Sequence, residues 1–145
     1  YHAGKRPWGV TADLAMPCAT QNEILENDAQ TMLSNGIIAV SEGANMPTVI
    51  EGIHHFLTAK ILFAPAKAAN AGGVGMSGLE MSQNSERRYW SNEELSKMLR
   101  DLLIGIHMNC NEAGMQKDGW CNYMAGSNIA GFKKVADAMM AFGVV

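Results

Sequence analysis

The sequence predicts an α/β fold: a parallel sheet with crossover helices, followed by a run of helices. Three observations predict it. Apolar runs at 13–17, 37–41 and 61–64 each suit a short buried strand. The segments between them carry helix start and stop signals. Each run gives way to a polar stretch rich in Gly, Asn or Pro, at 18–22, 42–48 and 66–77. Strand–helix alternation argues for parallel pairing. Right-handed crossovers then carry all three loops to one edge of the sheet, where open parallel sheets bind their ligands. Polar loops far apart in sequence are therefore expected to meet in one crevice.

In chain order, residues 1–10 read as a polar loop, with Gly4, Pro7 and Gly9. Asp13 to Pro17 form the first strand. Thr20-Gln21-Asn22-Glu23 has the form of a capping box. It predicts a helix with Thr20 as N-cap that stops at Asn35-Gly36. Ile37 to Val40 give the second strand. Thr48-Val49-Ile50-Glu51 is a further capping box, opening a helix to about Ala59. Ile61 to Phe63 give the third strand. A three-stranded sheet is thin for a domain, so continuation into further strands is expected.

From Leu79 onward the pattern is helical. Ser91-Asn92-Glu93-Glu94 caps a long amphipathic helix over 91–114. Leu95, Met98, Leu99, Leu102, Leu103, Ile106 and Cys110 share one face of it. Residues 114–123 read as a loop. Ser127 is expected to cap a last helix that buries Ile129, Phe132, Val135, Ala136 and Met139.

The chain has 145 residues, 48% of them hydrophobic, which suits one globular domain with a core. Net charge is −3, so no bulk attraction to nucleic acid or an anionic membrane is expected. No apolar run reaches transmembrane length, and no signal peptide is expected from the opening residues. The 3 cysteines, Cys18, Cys110 and Cys121, form no CxxC, which points to a reducing, cytoplasmic setting. His107, Cys110 and Cys121 lack a fourth ligand, so no metal site is expected. Tyr at position 1 suggests a chain that starts inside a longer polypeptide.

The stretch 67–81, KAANAGGVGMSGLEM, is the leading site candidate. Its glycines could let backbone approach a ligand. Gly73-Val74-Gly75-Met76-Ser77-Gly78 fits G-x-G-x-x-G literally. A dinucleotide fingerprint, however, needs its glycines directly after a strand and a second strand after the helix. Neither condition is met, so the match is read as accidental.

PCATQNE (17–23), EGANMPT (42–48), KAANAGGV with SGLEMSQN (67–84) and NIAGFKKVADAM (128–139) resemble, in this order, the hexameric glutamate dehydrogenases of bacteria and lower eukaryotes. The resemblance covers nearly the whole chain. It implies the second half of a Rossmann-like doubly wound parallel sheet followed by C-terminal helices. Residues 1–90 would complete the nucleotide-binding domain, and 91–145 would pack back toward the substrate domain. The implied activity interconverts L-glutamate with 2-oxoglutarate and ammonium, using NAD or NADP, in a homohexamer. NADP is the favoured nucleotide. The family's catalytic lysines and aspartate, and its pyrophosphate turn, have no counterpart here, so no catalytic residue is assigned and the isolated chain is expected to be inactive. Family members usually have Gly where Ala66 stands, and commonly Ala-Thr at Gly75-Met76.

The resemblance assigns Ser77 to the substrate's side-chain carboxylate; by spacing alone, Ser77-Gly78-Leu79-Glu80 is also a capping box. Val74 would touch substrate. Asn45 and Asn70, at equivalent strand ends, suit the nicotinamide carboxamide or ribose, since an amide both donates and accepts. Each is also an ordinary turn residue. Ala19, Thr20 and Gln21 would line the cofactor side. Lys67 could attract an anion or simply be solvated. Two alternatives stay open: a related branched-chain or aromatic amino-acid dehydrogenase, which would need an apolar residue at Ser77, and a non-enzymatic half-Rossmann interaction module.

Overall fold

The computed structural model describes residues 3–143. Strands β1 (Leu14–Ala15), β2 (Ala39–Ser41) and β3 (Leu62–Ala64) form one parallel sheet in the order β1-β2-β3. Leu14 pairs with Ala39, and Val40 with Phe63. Each strand lies within its expected run but is shorter. Helices α1 (Glu26–Ser34) and α2 (Ile50–Thr58) make the two crossovers.

Side chains alternate across a strand, and among the described residues the covered face of this sheet is the one carrying Ala15, Val40 and Phe63. Ala15, Val40 and Phe63 point into the core with Ile24, Ala29, Met32, Ile37, Ile53 and Phe56. Phe56 of α2 stacks on Phe63 with ring centroids 5.9 Å apart. Leu14, Met16, Ile38 and Leu62 are exposed. The helices α1 and α2 approach closely because Gly52 has no Cβ. One placed there would lie 2.9 Å from Thr48 Cγ2 and 3.3 Å from Ala29 Cβ.

Two helices begin later than their capping signals predict. α1 starts at Glu26, not at Thr20. Glu23 Oε1 does accept from the Ala19 and Thr20 N–H groups, at 2.9 and 3.3 Å. No helix follows, because Ile24 is fully buried and forms a parallel bridge with Thr48. The Asp28 carboxylate then accepts from Leu25 N–H at 2.9 Å and starts α1. Thr48 is likewise no cap. It is buried in that bridge, and Val49 occupies the N-cap position of α2. The stop at Asn35-Gly36 is as expected, with Gly36 at φ +87°.

The stretch expected as a loop is helix. α3 (Ala66–Ala69) and α4 (Ala71–Glu86) follow β3 with only Asn70 between them. α5 (Asn92–Gly114) is the longest helix at 23 residues and starts as expected. Ser91 Oγ accepts from Glu94 N–H at 3.2 Å, and Glu94 Oε2 accepts from Ser91 N–H at 2.7 Å. α6 (Tyr123–Phe142) begins four residues before Ser127. Its cap is Asn122, whose Oδ1 accepts from Ala125 N–H at 3.0 Å. Ser127 is buried and donates to Met124 O. The expected burial along α6 is also corrected. Ile129, Phe132, Val135 and Met139 are all at least half exposed, since nothing among the described residues packs on that face.

Candidate functional site

The carboxyl edge of the sheet brings the expected loops together. Gly43 and Ala44 N–H both donate to Pro17 O, at 2.9 and 3.0 Å. Asn22 N–H donates to Met46 O at 3.1 Å. These bonds join the segment after β1 to the segment after β2. Ala19, Thr20 and Gln21 stand exposed beside them.

The segment after β2 is joined to the helix after β3 by two side chains. Asn70 Nδ2 donates to Asn45 Oδ1 at 2.7 Å and approaches Ala44 O at 3.5 Å. This leaves the Asn45 NH2 and the Asn70 carbonyl oxygen without partners among the described residues. One free donor beside one free acceptor is the complement of a carboxamide. The second link is Glu42, which sequence reasoning passed over as a turn residue. Glu42 is 3% exposed, and its Oε2 accepts from Ala66 N–H at 2.9 Å. An acidic residue directly after the last residue of β2 was the available signal.

Asn70, Val74 and Ser77 stand three or four positions apart and share one face of α4. Val74 is 74% exposed, and Ser77 is exposed one turn beyond it. Gly73 and Gly78 border them, and neither has an atom within 4 Å of an added Cβ. The opposite face is braced on α5. A Cβ on Gly72 would meet Leu99 Cδ1 at 3.2 Å, and one on Gly75 would overlap Leu102 Cδ2. Two of the four glycines therefore serve helix packing, and G-x-G-x-x-G here is a helix and not a phosphate turn.

Ser77 is not an N-cap. It lies mid-helix, and its Oγ donates to Gly73 O at 3.2 Å. That is long for an O–H···O bond. Such back-bonding is a weak local contact. A carboxylate is the stronger acceptor and can draw the hydroxyl away. Lys67 Nζ donates to Asn128 Oδ1, tying α3 to α6.

Cys110, Cys121 and His107 form no centre of their own. Burial pushes both thiols above their ordinary value, which suppresses the thiolate. His107 stacks on Tyr123 at 5.6 Å. Among the described residues no group of three or more His, Cys, Asp or Glu side chains is placed to hold a metal.

Fold and edge together define an α/β unit whose polar side chains converge at the carboxyl ends of parallel strands. Residues 1–143 match the model of the Glutamate/Leucine/Phenylalanine/Valine dehydrogenase family, and the chain belongs to that family. It is similar to the NAD(P)-specific glutamate dehydrogenase of Xylanibacter ruminicola, 56% identical over 144 residues, covering 99% of this chain and 32% of the relative. It is similar to the NADP-specific glutamate dehydrogenase of Haemophilus influenzae, 54% identical over 145 residues, covering 99% and 32%. Among solved structures, Plasmodium falciparum glutamate dehydrogenase superimposes with a TM-score of 0.90 at 43% identity, covering 96% of this chain and 30% of that one. The chain thus spans about a third of the length of the curated relatives it matches.

Proposed function

We propose that this chain is part of an NAD(P)-dependent glutamate dehydrogenase. The enzyme oxidatively deaminates L-glutamate to 2-oxoglutarate and ammonium, and runs the reverse amination. Residues 1–90 complete its nucleotide-binding domain, and 91–145 pack back toward its substrate domain. The observation that carries the reading is the α4 face, where Asn70, Val74 and Ser77 rise in line from the Asn45 contact.

Bound nicotinamide supplies the hydride acceptor. In this reading the free donor and acceptor of Asn45 and Asn70 hold its carboxamide or the adjoining ribose. Ala19, Thr20 and Gln21 line the same side. Val74 gives apolar contact to the substrate, and Ser77 donates to its side-chain carboxylate. A neutral hydroxyl suits that carboxylate, whereas a leucine- or phenylalanine-specific relative would place an apolar group there. The nucleotide is NADP in preference to NAD, following the overall resemblance.

The enzyme is a cytoplasmic homohexamer in this proposal. Exposed Phe132, Met140 and Phe142 on α6, and the open face of the sheet, are apolar surface that association or a further domain would cover. No helix among the described residues is long and apolar enough to cross a membrane. The test is Ser77→Ala in the full-length enzyme. The KM for glutamate should rise by about tenfold or more, as expected for loss of one bond to a charged group, while the cofactor KM holds.

A further inference from the structure

Glu42 is a buried acid at the point where two walls of the crevice meet. Its backbone N–H donates to Ala64 O at 3.1 Å, at the end of β3. Its Oε2 accepts from Ala66 N–H at 2.9 Å, the first residue of α3. Its Oε1 is buried without a partner among the described residues. Burying a carboxylate is costly. Here that cost maintains a single link, from the end of β2 to the start of α3. Asn45 lies three residues after Glu42, and Asn70 four residues after Ala66. The Glu42–Ala66 bond is thus the base of a small frame whose far side is the Asn45–Asn70 bond of 2.7 Å.

We infer that Glu42 is a positioning residue for the nicotinamide-binding pair, setting the spacing of Asn45 and Asn70 through its bond to Ala66 N–H. The inference rests on the proposed role of those two asparagines. It separates cofactor from substrate contacts for a structural reason. Ser77 lies seven residues beyond Asn70, two turns along α4, and its place is set where α4 is held on α5; Gly72 and Gly75 make that seam independently of Glu42. Loss of the strut should loosen the asparagine pair and leave Ser77 in place.

The test is steady-state kinetics on the full-length enzyme, four single variants and one double variant. Glu42→Ala removes the acceptor. Glu42→Gln retains an oxygen that can take the Ala66 N–H. Ala66→Pro removes the donor and leaves Glu42 intact. Proline is tolerated at a first helical position, and Pro65 before it already has the extended ψ of 151° that proline demands. Asn70→Ala supplies the comparison. Glu42→Ala and Ala66→Pro should each raise the cofactor KM by about tenfold, with glutamate KM changed less than about twofold. Glu42→Gln should stay within about threefold of the unsubstituted enzyme, since it keeps the acceptor. Glu42→Ala combined with Asn70→Ala should raise the cofactor KM by less than the product of the single effects.

Unchanged cofactor KM in Ala66→Pro overturns the inference, including where Glu42→Ala does not fold. So does an equal rise in both KM values, or a Glu42→Gln enzyme as impaired as Glu42→Ala. An unsubstituted enzyme that does not oxidise glutamate would instead overturn the proposed function. The two failures are thereby distinguishable.

Discussion

Asn70 Nδ2 lies 2.7 Å from Asn45 Oδ1, joining side chains 25 residues apart in sequence. The bond closes the crevice between the ends of β2 and β3 and pre-orients both amides. Asn45→Ala and Asn70→Ala in the full-length enzyme should each raise the cofactor KM or slow hydride transfer, with an unchanged melting temperature. Steady-state kinetics and a thermal melt check this. Normal cofactor kinetics in both variants would return the pair to turn chemistry.

The seam between α5 and α6 makes a prediction about stability. A Cβ on Gly126 would overlap Cys110 O and stand 2.9 Å from Gly114 N, both backbone atoms that cannot swing aside. Gly126→Ala should therefore cost about 1–3 kcal/mol or more. Gly131 on the same helix has no atom within 4 Å of an added Cβ. Gly131→Ala should gain up to about 0.8–1 kcal/mol from helix propensity alone. Denaturant melts of the two variants should move in opposite directions. A neutral Gly126→Ala would contradict the packing described.

The strands and α5 were legible because their signals are local. Three apolar runs bracketed β1, β2 and β3, and the reciprocal Ser91–Glu94 bonds that start α5 can be read from four residues. The stretch 66–77 was not legible, because its outcome is decided by another helix. Glycine opposes helix, yet Gly72 and Gly75 let α4 settle on Leu99, Leu102 and Leu103 of α5. The Thr20 and Thr48 capping signals lost to the Ile24–Thr48 bridge, a contact between segments 24 residues apart. Of the candidate site, the residues on the three loops could be named in advance. Glu42 could not, because its importance lies in being buried against Ala66 N–H. The apolar spacing of α6 was read correctly as a pattern. Its burial was not, since that depends on what packs against it.

The isolated 145-residue chain is expected to show no detectable glutamate-dependent reduction of NAD or NADP. Hydride transfer needs cofactor and substrate held in near-attack geometry. In the proposed enzyme the chain supplies one wall for this: Asn45, Asn70, Val74 and Ser77. It also leaves Leu14, Ile38 and Leu62 open on one face of its sheet, so poor solubility alone is expected as well. The assay uses purified chain shown by mass to be free of full-length enzyme. Turnover within a few fold of the intact enzyme would overturn this expectation.

In the proposed enzyme the exposed face of α4 reads the substrate, with Ser77 choosing glutamate. Ser77→Val in the full-length enzyme tests it most directly. Valine removes the donor, adds one methyl branch and leaves an apolar group on the face of α4 proposed to meet the substrate. Loss of a bond to a charged group is worth about 1.5–3 kcal/mol, roughly a tenfold to hundredfold effect. The measurement is kcat/KM for glutamate and for leucine in the two enzymes. The glutamate-to-leucine ratio should fall by at least about tenfold while the cofactor KM holds. An unchanged ratio, with glutamate kinetics intact, would show that the Ser77 hydroxyl does no more than bond to Gly73 O within its own helix.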